Sequence, residues 1–289
     1  MKPTAIIEAK PIPSYAQIEA RKLSCARLLE EKPSAETGVR FKFDKLTLNV
    51  ESDHNVGFNY CDHRNPTTVS STKDALALID AAVNSDPRLR VIEITGSGDA
   101  LASRVTFEVL RKVKEAYPYL TTCVATNGLL LPKKLALLEG LGVNALKVTV
   151  NAVDAEVGSQ LYSYVRLNGR TLCGEDAFEV LSLNQLEGIR RAADDGLMVE
   201  VTAIYIPGVN DEHLEEVART VRALGAYKIN VAPPEPEGRF AEFPLPSSEE
   251  VELANRRCEE VYLSSDWVLN ASPEVMECLF GEEAPLIFN

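Results

Sequence analysis

From residue 41 onward the chain alternates short apolar runs with longer amphipathic ones. The runs at 46–50, 91–95, 121–125, 146–150, 199–205 and 228–231 are short and rich in β-branched residues, and they read as strands. Between them the apolar positions recur at helical spacing, which predicts helices over 72–83, 103–117, 132–140, 175–195, 211–225 and 247–262. The boundaries carry matching signals. Ser70-Ser71-Thr72 and Asp211 offer N-caps, while Asp86-Pro87, Pro118, Gly140, Gly142, Gly196 and Gly225 close helices. A longer insertion, without an element assigned to it, runs from the fourth strand to Gly174.

Strands alternating with helices argue a parallel sheet with helical crossovers. The strands read as nearly all apolar, as expected for strands buried on both faces. Six βα units are too few for a closed eight-unit barrel, so the fold class is α/β, either an open partial barrel or a doubly wound sheet. In both, the site forms at the carboxyl ends of the strands. Residues 1–40 form an N-terminal extension with one helix over 14–31. Residues 41–236 form the βα domain, and 237–289 a C-terminal helix and tail.

Net charge is −13 with a sequence pI near 4.9. A nucleic-acid binder shows a basic face, and here the basic pairs Lys133-Lys134, Arg190-Arg191 and Arg256-Arg257 lie among acidic residues on helices. No membrane span and no signal peptide are read. The six cysteines (Cys25, Cys61, Cys123, Cys173, Cys258 and Cys278) include no C-x₂-C pair. A reducing, cytoplasmic compartment is expected. Cys123, inside an apolar strand, reads as a small core residue.

The strand ends collect polar residues and glycines. His54, Asn55, Phe58, Tyr60, Cys61, His63 and Arg64 follow the first strand, and Gly96-Ser97-Gly98-Asp99 the second. Thr126-Asn127-Gly128 follows the third, Asn151 and Asp154 the fourth, and Pro207, Gly208, Asn210 and Asp211 the fifth. The glycines permit close backbone approach. Asp99, Asn127 and Asn151 can bond a ligand's amino, carboxylate or ribose groups. The same residue types also cap helices and shape turns. The candidate ligand-binding set is Gly96, Gly98, Asp99, Thr126, Asn127, Asn151 and Pro207.

Several segments resemble the radical-SAM domain of the nitrogenase cofactor maturase family NifB. They are G-S-G-D-A-L-A (96–102), A-T-N-G-L (125–129), V-T-V-N-A-V-D-A-E-V-G (148–158), N-Q-L-E-G-I-R-R (184–191) and I-P-G-V-N-D-E-H (206–213). The resemblance implies the partial (βα)6 TIM-like barrel of the radical-SAM type, with S-adenosylmethionine as cofactor. It also implies a [4Fe–4S] cluster held by C-x₃-C-x₂-C in the loop after the first strand. Three thiolates leave one iron open for S-adenosylmethionine, and electron transfer to the sulfonium yields the 5′-deoxyadenosyl radical.

This chain departs from that pattern. His54 and Phe58 stand where the first two cysteines belong, and only Cys61 of the three remains, within a retained Asn59-Tyr60-Cys61. An imidazole can ligate an iron–sulfur cluster; a phenyl ring cannot. The family's accessory clusters use an N-terminal histidine and cysteine and a C-terminal C-x₂-C. Here Cys25 and a lone Cys278, followed by Gly281, answer to them. The expected protein is therefore a degenerate maturase paralogue, a pseudoenzyme lacking the standard cluster. It would act as a subunit, regulator or S-adenosylmethionine-type ligand binder beside a cluster-complete paralogue or another cofactor-assembly protein. The alternative is an active enzyme with metal ligation by His54 and Cys61. A third reading, an unrelated βα aldolase or isomerase, needs an acid–base pair beside Lys147 or Lys228, and the sequence displays none.

Overall fold

A computed structural model describes residues 44–60, 68–234 and 244–263. Six strands form one parallel sheet: β1 (Asp44–Val50), β3 (Leu89–Gly96), β4 (Thr121–Thr126), β5 (Ala145–Thr149), β8 (Met198–Ile204) and β9 (Lys228–Ala232). Their order across the sheet is their order along the chain. A doubly wound sheet reverses its order at a switch point, and this one does not. The architecture is the singly wound, open partial (βα)6 barrel.

The crossovers are α1 (Thr72–Ser85), α2 (Arg104–Ala116), α3 (Leu131–Gly140), α5 (Gly174–Asp194) and α6 (Leu214–Ala223), and α7 (Ser248–Leu263) follows β9. Ser71 caps α1 by accepting the Asp74 N–H at 3.1 Å. Asp211 does not cap α6, whose first residue is Leu214 and whose N-cap is His213. The turn after β8 is thus longer than its sequence suggested, and His213 is left to contact another loop.

The strands are not apolar on both faces. Ile92 and Ile94, Val124, Leu146 and Val148, Val199 and Val201, and Ile229 and Val231 are buried in one core with the helices. The alternate positions carry Glu93, Lys147, Glu200, Thr202, Lys228 and Asn230, and β5, β8 and β9 alternate buried with half-buried residues. The expectation of two apolar faces fails because all crossovers lie on one side. The other side is the concave inner wall of the half-barrel, where charge is tolerated.

The insertion after β5 folds into a helix, α4 (Ala155–Leu161), and a hairpin of β6 (Tyr162–Leu167) and β7 (Arg170–Leu172). Asn168 (φ 52°) and Gly169 (φ 76°) make its turn, the left-handed pair that two-residue hairpins favour. A short strand after β1, β2 (Val56–Phe58), pairs antiparallel with β6, making a second, three-stranded sheet. At the far edge of the main sheet, the Asn255 amide of α7 accepts from Val231 N–H and donates to Val231 C=O, both at 2.7 Å. That pairing occupies part of the β9 edge. Among the described residues no helix is long and apolar enough to cross a membrane.

Candidate functional site

The strand ends converge, but not as a set of free ligand-binding side chains. Asp99 ends the loop after β3 and has no solvent exposure. Its carboxylate accepts from Asn55 Nδ2 at 3.0 Å, from Thr126 Oγ1 at 2.7 Å and from Leu101 N–H at 3.2 Å. Asn127 Nδ2 donates to Asn55 Oδ1 at 2.7 Å, and Asn127 Oδ1 accepts the Leu129 N–H. These bonds tie the loops after β1, β3 and β4 into one buried network. Burial pushes the Asp99 carboxyl above its ordinary value, against the opposing pull of its hydrogen bonds.

A second network joins the loops after β5 and β8. Asn151 is fully buried. Its Nδ2 donates to Tyr60 Oη at 2.7 Å, and its Oδ1 accepts from Ile204 N–H at 2.8 Å. Asn210 Nδ2 donates to the carbonyls of Asn151 and Ile204 at 3.0 and 2.8 Å. His213 Nε2 accepts the Val153 N–H at 3.1 Å, and its Nδ1 lies 3.2 Å from Glu216 Oε2. His213 thus ties the loop after β5 to the first turn of α6. Beneath both networks, Gln185 of α5 donates Nε2 to the carbonyls of Asn127 and Thr149, each at 2.8 Å, and its buried Oε1 has no hydrogen-bond partner.

Gly96 and Gly98 serve close approach between two loops. A Cβ at Gly98 would lie 2.3 Å from the Asp53 carbonyl oxygen, and one at Gly96 would lie 2.4 Å from Ser52 Oγ. Pro207 is half-buried beside the Asn210 turn. Asp154 is a helix cap, accepting from Glu156 and Val157 N–H groups. So the structure gathers Asp99, Thr126 and Asn127 around Asn55, and sets Asn151 in a separate cluster with Asn210. The sequence placed Asn55, Tyr60 and Asn210 at the rim without a role, and showed Gln185 and His213 only as members of the 184–191 and 206–213 segments, with no role of their own. Gln185 lies mid-helix, where a buried polar residue on an apolar face was the local signal of a structural role.

The loop after β1 is welded to the hairpin. Val56 pairs with Val165, Gly57 with Tyr164 and Phe58 with Tyr162. Arg166 N–H donates to Asn55 C=O at 2.7 Å, and Tyr164 Oη donates to His54 C=O at 3.4 Å. The Phe58 ring lies 5.1 Å from that of Tyr60 and 5.4 Å from that of Tyr162, which stacks on Phe178 at 5.9 Å. Each such contact contributes about 0.5–1.5 kcal/mol beyond burial.

Residues 59–221 match the family model described as the radical SAM superfamily. The chain belongs to the radical SAM superfamily. Among curated relatives of this radical SAM chain, the FeMo cofactor biosynthesis protein NifB of Klebsiella pneumoniae is 35% identical over 237 residues, covering 76% of this chain and 51% of that protein. The protein of the same name from Methanocaldococcus jannaschii is 30% identical, covering 71% of this chain and 69% of that one. The chain spans about half the length of the first curated relatives it matches. A radical SAM methyltransferase from Sphaerobacter thermophilus superposes with a TM-score of 0.55 at 25% identity, covering 76% of this chain and 65% of that one. The fold expectation is met.

Radical SAM chemistry implies S-adenosylmethionine and a cluster held by three thiolates. Of the three ligand positions, Phe58 has no atom that can bind iron and is packed on two tyrosines. His54 offers an imidazole and is half-buried. Cys61 lies outside the described residues, as do Cys25, His63, Arg64 and Cys278. Among the described residues no group of three or more His, Cys, Asp or Glu is arranged to hold a metal. The described donors do not fit a three-thiolate cluster. Cys123 is buried, as expected of a core residue, yet it stands in register with Glu93 on the inner wall. Burial pushes its thiol up to about 12.

Proposed function

We propose that this chain is a NifB-like radical-SAM-fold protein of metallocofactor biosynthesis that no longer assembles the standard [4Fe–4S] cluster. In this reading it is a pseudoenzyme that acts as a ligand-binding subunit or regulator beside a cluster-complete paralogue or another assembly protein. One observation carries the reading. At the second cysteine position the chain has Phe58, and that ring is built into an aromatic cluster on a loop already paired to β6. The loop's shape is thus supported by main-chain hydrogen bonds and packed rings.

S-adenosylmethionine is the ligand the fold suggests. Most polar side-chain atoms of Asp99, Thr126, Asn127 and Asn151 are committed to one another or to the main chain. Their part in this reading is to fix the rim's shape and leave main-chain groups to meet the ligand. The reading has a direct test: calorimetric titration of iron-free protein with S-adenosylmethionine, with S-adenosylhomocysteine alongside. Saturable binding of either supports the ligand-binding role. Absence of heat and of any melting-temperature shift removes that role and leaves a scaffold.

A further inference from the structure

We draw no further inference here: the strongest candidate, the buried Gln185 side chain of α5 beneath the turns that end β4 and β5, whose Oε1 has no hydrogen-bond partner, belongs to the site already described, and nothing in the structure aims that oxygen at a ligand.

Discussion

At position 99 a carboxylate is sealed from solvent and met by donors from Asn55, Thr126 and Leu101. Its pKa is raised, with burial the largest cause. The folded state therefore holds the Asp99 proton more tightly than the unfolded chain does. Its contribution to stability is full below the ordinary value of 3.8 and is lost as pH rises through the higher folded value. Urea unfolding of wild type and Asp99→Asn from pH 4 to 7 should show the wild type losing stability relative to the variant as pH rises. A constant difference across that range would contradict the assignment. Gln185→Leu strips the donors from two strand-end carbonyls and should cost about 1–3 kcal/mol, read by the same unfolding measurement. At this scale the sequence revealed which residues are polar at the strand ends, but not their partners. Asn151 meets Tyr60 across 91 positions, and Asn55 meets Asp99 across 44. No local pattern encodes such pairs.

Among elements, the regular βα units were legible because each crossover announces itself by helical spacing, a cap or a closing glycine. The hairpin was not read. Its strands are short, and it pairs with a three-residue strand of the first loop rather than with the main sheet. Asn168-Gly169 between 162–167 and 170–172 carried the signal. Gly98 shows how tightly these loops are set. Gly98→Ala would place a Cβ 2.3 Å from main-chain oxygen, which cannot rotate away. The variant should lose about 1–3 kcal/mol as the loop shifts. Hydrogen exchange should quicken at Asp99 N–H, which donates to Asp53 C=O at 3.1 Å. An unaltered exchange rate there would show the approach to be looser than described.

For the whole molecule, uninterrupted strand order and one-sided crossovers decide between a barrel and a doubly wound sheet, a choice the periodicity left open. They also turn the alternate strand positions into an inner wall, which is why Glu93, Lys147 and Glu200 are tolerated mid-strand. The central claim concerns the loop at the top of that wall, where the maturase frame persists around His54 and Phe58. The most direct measurement is the iron and sulfide content after anaerobic reconstitution of the wild type and of the His54→Cys/Phe58→Cys variant. That variant restores C-x₃-C-x₂-C with Cys61. The wild type should retain no cluster and show no absorbance near 400 nm, while the variant gains about four irons per chain, as one [4Fe–4S] cluster requires. Four irons on the wild type, with cleavage of S-adenosylmethionine, would contradict the account.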